Sequence, residues 1–187
     1  MAKITRESID RFFDYDVHVE SRTVYIGDDG ENGINSVVAE RAIKALHVLG
    51  TVPEKPITIY LNSGGGCCMN GMAIYDAIKY CPCEVTVYAT GSAMSMGSVI
   101  LQAADVRIIY PNAIVMIHDG SLSITAEART VFNWAESQRK WNELMYKIFA
   151  ERSGKPAAFW RKKCATDYIM TAKEALAVGL VDSIFGQ

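Results

Sequence analysis

The sequence predicts an α/β fold on a mainly parallel sheet. Runs rich in β-formers with period two alternate with helically spaced apolar runs, in the order strand, helix, strand, helix, strand, helix. Glycine or proline punctuates most of the junctions. With 187 residues, half of them hydrophobic and 21% charged, the chain fits one domain, residues 1–187, with a sizeable core.

Residues 1–14 read as an N-terminal extension or short helix, charged throughout and without an apolar signal core. Val17-His18-Val19 and Thr23–Gly27 read as strands that end in an acidic turn, Asp28-Asp29-Gly30. Asn35 is placed to cap a helix over Ser36–Leu49, in which Val37, Val38, Ile43, Leu46 and Leu49 recur at helical spacing. Pro53 and Pro56 separate it from a strand, Ile57–Leu61. The turn Gly64-Gly65-Gly66 leads to a helix over Asn70–Tyr80. Next come a strand over Glu84–Ala89, a turn of small residues from Gly91, and an apolar helix over Ser98–Ala104. A strand pair follows over Val106–Ile109 and Ile114–Ile117.

Ala126–Arg152 is long for one continuous helix, and it carries Trp134 and Trp141. Side chains that large stay wet only for a reason: either they contact another subunit or they fold back on their own domain. Thr171 and Glu174 have capping-box spacing for a last helix.

A formal charge of −2 argues against nucleic acid as the main partner. No run approaches the ~18 apolar residues of a membrane span, so no membrane role is expected and the compartment read from sequence is the cytosol. Cys67, Cys68, Cys81, Cys83 and Cys164 match no zinc-ligand spacing and read as buried free thiols in a reducing compartment. No metal and no cofactor are expected.

The chemistry centres on Ser95, within Gly91-Ser92-Ala93-Met94-Ser95-Met96-Gly97-Ser98. A serine between a strand and a helix lies where N–H groups are unpaired and the helix dipole is positive, which favours a developing oxyanion. Helix N-caps are far commoner than nucleophiles at such positions, so the partners must decide. Of three histidines, His18 and His47 read as structural. His118 ends the apolar strand Ile114–Ile117 and reaches the rim that Ser95 occupies, which makes it the candidate base. Asp119, Asp167 and Asp182 are all candidate orienting acids by spacing. Met96 N–H and a glycine N–H, best Gly66, are the candidate oxyanion donors. Asn62–Gly66 could instead cradle phosphate, but it lacks the P-loop lysine and the glycine spacing of a dinucleotide turn.

At these residues the chain resembles the proteolytic subunits of Clp proteases (the ClpP family), serine peptidases on the crotonase-like fold. The resemblance runs from about Val24 to Ile184. Its densest pieces are Ile59–Gly66, Gly71–Asp76, Ala93–Gly97, Pro111-Asn112 with Val115–His118, Asn142–Met145 and Asp167–Ala172, continuing through Glu174-Ala175 to Gly179–Asp182. It implies repeated β-β-α units with a long protruding handle helix, within a handle region here at about 119–152. It also implies Ser95 as nucleophile, His118 as base, Asp167 as acid, and Gly66 and Met96 as oxyanion donors. The implied activity is an endopeptidase core that itself uses no ATP and cleaves peptides or unfolded polypeptides. The implied assembly is a homo-oligomer of heptameric rings, stacked as a tetradecamer around a chamber, with an AAA+ unfoldase as partner.

The chain departs from the family pattern in three places. Gly64 stands where a proline is usual. Asp119–Thr125 replaces a Gln-Pro and glycine-rich segment that forms a peptide-holding strand, although Leu122 and Ile124 still alternate with polar residues as in a strand. The N-terminal segment lacks the usual axial-loop sequence. These departures bear on turn rigidity, on peptide clamping and ring stacking, and on unfoldase docking. Two other functions fit a related fold: a crotonase-type acyl-CoA hydratase or isomerase, and a non-catalytic assembly subunit that keeps the triad residues.

Overall fold

A ten-residue strand, Val85–Met94, forms the spine of the molecule. In this computed structural model, which describes residues 6–187, the elements run in chain order as α1 (Arg6–Tyr15), β1 (Val17–His18), β2 (Thr23–Gly27), α2 (Ser36–Leu49), β3 (Ile57–Ser63), α3 (Cys68–Lys79), β4 (Val85–Met94) and α4 (Met96–Leu101). They continue as β5 (Val106–Ile109), β6 (Ile114–Ile117), α5 (Ala128–Ser153), α6 (Ala157–Cys164), β7 (Tyr168–Thr171), α7 (Ala172–Val178) and β8 (Ser183–Ile184). Of the N-terminal extension, residues 1–5 lie outside the described residues.

The sheet order is β1-β2-β3-β4-β5-β8, with β6 on β4 and β7 on β6. Pairing is parallel except for β1–β2 and β6–β7. The α/β class and the mainly parallel sheet are as the alternating pattern predicts.

β4 has two successive neighbours on one side. Thr86–Ala89 pair with β5, and Ser92–Met94 pair with β6. The expected strand pair β5 and β6 is therefore two strands that take different halves of β4. The strand also runs five residues beyond the expected Ala89, through Gly91 and Ser92, residues that disfavour strands. New hydrogen-bonding partners on β6 explain this, because they satisfy backbone groups that a loop would leave open. The expected turn of small residues thus shrinks to Ser95.

Alternate residues of β3 and β4 are buried: Ile57, Ile59 and Leu61, then Val85, Val87 and Ala89. The Ala39, Ala42, Leu46 and Leu49 stripe of α2 and Ile74 and Ile78 of α3 pack with them in one core. Each such isoleucine or leucine contributes roughly 1.5–3 kcal/mol on burial. Asn35 caps α2 by accepting hydrogen bonds from Val37 N–H (2.9 Å) and Val38 N–H (3.1 Å). The Thr171–Glu174 capping box starts α7 as its spacing predicts.

α5 extends ~39 Å over its 26 residues. Its C-terminal half is anchored by buried Tyr146, Ile148 and Phe149, and Phe149 meets the buried Trp160 of α6 at 5.5 Å between ring centroids. Its N-terminal half stands free of the core, with Phe132 76% and Trp134 45% exposed. The two tryptophans therefore part ways: Trp134 faces outward, and Trp141 turns in toward Ser95. Leu122 and Ile124 do not form a strand. Among the described residues this segment pairs with no strand of the sheet, and two alternations are too few to hold a strand unaided.

Candidate active site

Ser95 forms a sharp elbow between β4 and α4, with φ +49° and ψ −119°. Such a conformation costs a non-glycine residue about 1–3 kcal/mol and survives only where its surroundings enforce it. Here Ser95 N–H donates to Met116 O on β6 (2.8 Å). Ser95 O accepts from Ser98 N–H (3.0 Å) and from Ser98 Oγ (2.6 Å). The hydroxyl is left to project beyond the sheet rather than to cap α4.

His118 follows β6 by one residue. Because Met94 and Met116 are register partners in parallel strands, Ser95 and His118 leave the same edge of the sheet. His118 Nε2 lies 2.9 Å from Ser95 Oγ. β7 runs antiparallel to β6 with Tyr168 opposite Ile117, so Asp167, one residue before it, sits beside His118. His118 Nδ1 lies 3.0 Å from Asp167 Oδ1. The three side chains form one hydrogen-bonded line.

The other acids are occupied elsewhere. Asp119 turns away from the imidazole: its N–H donates to Cys164 O (2.7 Å) and its carboxylate accepts from the Tyr146 hydroxyl. Asp182 accepts from Arg107 N–H (2.7 Å) and Arg107 Nε (3.1 Å). Burial pushes the Asp182 carboxyl up, but its hydrogen bonds with Arg107 outweigh that and hold it below the usual range. His18 Nδ1 is bonded to Ser21 Oγ (2.7 Å), and His47 is exposed on α2.

The glycine turn abuts the serine. Gly65 has φ +106°, and a Cβ there would lie 2.7 Å from Ser95 Cβ and 3.1 Å from Met96 N. Gly66 has φ +152°, and a Cβ there would lie 2.4 Å from Ile34 N. Both positions therefore require glycine. Ile34 N–H donates to Gly65 O (2.8 Å), and Cys67 N–H donates to Ile34 O (2.9 Å). In a parallel bridge of this kind the intervening residue turns its own N–H to the opposite edge, which for Gly66 is the edge away from Ile34. Met96 is the first residue of α4, whose N–H the helix leaves unpaired.

A cavity of about 30 Å³ opens beside the serine, lined by Met72, Val99, Trp141 and Met145 among others. Sequence reasoning missed this lining, although Trp141 and Met145 share one face of α5 at i, i+4 spacing. A wider groove of about 670 Å³ between β1 and α2 holds neither serine nor histidine. Among the described residues no group of three His, Cys, Asp or Glu side chains is arranged to hold a metal ion. The cysteines are free, but only Cys83 and Cys164 are buried, and Cys67 is exposed at the start of α3.

A family model described as Clp protease matches residues 8–187. The chain belongs to the Clp protease family. Within that family it is 32% identical over 179 residues to the ATP-dependent Clp protease proteolytic subunit of Deinococcus radiodurans, spanning 92% of this chain and 86% of that one. A ClpP1 point mutant from Listeria monocytogenes has the same fold, with a TM-score of 0.81 at 30% identity, covering 90% of this chain and 94% of that chain. The mixed α/β architecture with its long helix is the Clp fold, and the resemblance carried by the sequence motifs is one of membership.

Proposed function

We propose that this Clp family chain is a serine endopeptidase core with Ser95, His118 and Asp167 as its catalytic triad. The observation that carries the reading is the unbroken line from Ser95 Oγ through both ring nitrogens of His118 to Asp167 Oδ1, at 2.9 and 3.0 Å. Ser95 Oγ attacks the scissile carbonyl carbon while His118 Nε2 takes its proton. Asp167 accepts from Nδ1–H, fixes the tautomer and stabilises the imidazolium. Met96 and Gly66 N–H groups receive the oxyanion, and one such donor is typically worth about 3 kcal/mol of barrier. The imidazolium then protonates the leaving amine. Water, deprotonated by His118, attacks the acyl-enzyme carbonyl and frees Ser95.

The small apolar cavity beside Ser95 supports acceptance of a modest apolar side chain next to the cut bond. Substrates are peptides or unfolded polypeptides. The exposed Phe132 and Trp134 on the free half of α5 support its use as a contact between subunits of a ring homo-oligomer. Stacked heptamers, an AAA+ unfoldase partner and a cytosolic setting complete the reading. The cavity has no glutamate in its lining, which disfavours acyl-CoA hydration.

The test is turnover of short fluorogenic peptides together with active-site labelling by a fluorophosphonate. Ser95→Ala should abolish both. Labelling of that variant at the wild-type rate would move the nucleophile elsewhere and overturn the assignment.

A further inference from the structure

Three consecutive glycines make the oxyanion turn the least self-supporting stretch near Ser95, since glycine gives up more conformational freedom on ordering than any other residue. An exposed carboxylate, that of Asp28, braces its first half, and the Ile34 bridge holds its second. Asp28 Oδ1 accepts from Ser63 Oγ (2.5 Å), and Asp28 Oδ2 accepts from Gly64 N–H (2.9 Å). Ser63 Oγ, itself buried, accepts from Gly65 N–H (3.0 Å). Through these contacts Asp28 orients the two peptide planes that precede Gly65 O, and Gly65 O receives Ile34 N–H. The Ile34 bridge then fixes the direction of Gly66 N–H. The neighbouring Asp29 holds the other side of the bridge: its N–H donates to Gly33 O (3.1 Å) and its Oδ2 accepts from Asn35 Nδ2 (2.7 Å).

We propose that Asp28 is a positioning residue for peptide hydrolysis, holding the Gly64-Gly65-Gly66 turn so that Gly66 N–H faces the oxyanion formed at Ser95. The inference rests on the peptidase reading. Asp28 touches no reacting atom and acts only through the turn. Its contribution is made when charge develops on the carbonyl oxygen, so its loss lowers kcat and leaves KM nearly unchanged.

Position 64 supplies an internal check. Gly64 has no left-handed backbone, and an added Cβ would meet only Asp28 Oδ2, at 3.4 Å. A proline there would stiffen the turn through its ring but remove the N–H that Asp28 accepts. Stiffness from the ring can therefore stand in for the carboxylate.

The experiment compares wild type, Asp28→Ala, Asp28→Asn and Asp28→Ala/Gly64→Pro by steady-state peptide cleavage and by hydrogen exchange of the segment 62–69. Asp28→Ala should lower kcat roughly ten- to a hundredfold, with KM within about twofold. Asp28→Asn keeps one acceptor oxygen and should fall between it and wild type. The double variant should regain most of the lost kcat. Exchange at Gly64 and Gly65 should rise in Asp28→Ala while the rest of the chain is unchanged. A wild-type kcat in Asp28→Ala, a loss confined to KM, or unchanged exchange at the turn would overturn the proposal. A wild-type protein that neither cleaves peptides nor labels would overturn the peptidase reading and the catalytic half of the proposal with it. The exchange arm would still decide whether Asp28 holds the turn.

Discussion

The Tyr146 hydroxyl donates to the Asp119 carboxylate and so ties the residue after His118 to the anchored half of α5. Tyr146 is buried, and Arg161 lies over its ring at 5.6 Å to the centroid. Tyr146→Phe should cost about 1–3 kcal/mol of stability in urea unfolding, the range for removing a partner from a polar group that loses solvent. It should also reduce kcat several-fold as His118 loses its tether. Unchanged turnover alongside the stability loss would restrict the contact to folding.

That contact has a defined pH window. Burial first, and the hydrogen bond to Asp119 second, push the Tyr146 hydroxyl above its ordinary range. A pKa raised in the folded state contributes stability that is fully present below the unfolded value, about 10 for tyrosine, and is lost as pH rises through the folded value. Tyr146→Phe and wild type should therefore differ by a constant amount between about pH 6 and 9, with the difference shrinking only in strong alkali. A gap that closes below pH 8 would contradict the assignment.

Asp167 has a different weight from Ser95. Asp167→Asn keeps the shape but favours the wrong imidazole tautomer, and peptide turnover should fall roughly 10³–10⁴-fold. Fluorophosphonate labelling should slow in parallel. A loss under tenfold would mean that water can orient His118 by itself, since the Asp167 side chain is 66% exposed.

The Arg107–Asp182 pair should matter to the fold rather than to the chemistry. Arg107 is almost fully buried and also donates to Gln102 Oε1 (2.7 Å) and Gly179 O (3.0 Å). Asp182→Asn leaves that guanidinium without its counter-charge and should destabilise the protein by about 2–4 kcal/mol in denaturant titration. The Asp182 carboxyl is depressed in the folded state, so its contribution is present above the unfolded carboxylate value, about 3.9, and disappears as pH falls through the folded one. Wild type and Asp182→Asn should converge in acid. Parallel curves down to pH 2 would refute the pairing argument.

Thiol chemistry separates the cysteines. Burial pushes the Cys164 thiol up to about 12, whereas Cys67 is exposed. Iodoacetamide near neutral pH should modify Cys67 in the folded protein and Cys164 only after denaturation. Mass spectrometry of the alkylated peptides checks this, and equal rates at the two sites would count against the packing around α6.

Local signals were the legible ones. The Asn35 cap, the Thr171–Glu174 box and the limits of β5 and β6 follow from residues close in sequence, and the structure reproduces them. The extension of β4 to Met94 was not readable, because its cause is β6, some twenty residues away, whose backbone overrides the poor strand preference of Gly91 and Ser92. Spacing left Asp119, Asp167 and Asp182 equal. The difference between them is one of strand register and of partners contributed by Tyr146 and Arg107, which no periodicity reports. Asp28 looked like an ordinary acidic turn for the same reason: its partners Ser63 and Gly64 lie 35 and 36 residues away.

The forked pairing of β4 gives the three triad positions unequal anchorage. The strands before Ser95 and His118 each lie between two hydrogen-bonded neighbours, so neither can slide without tearing two ladders. β7 has β6 alone among the described residues. A shift of that outermost strand along β6 would carry the carboxylate out of line with His118 while breaking a single ladder, and the buried Met170 side chain is what pins its register. The acid is thus the component whose alignment depends most on what presses against the rim from outside.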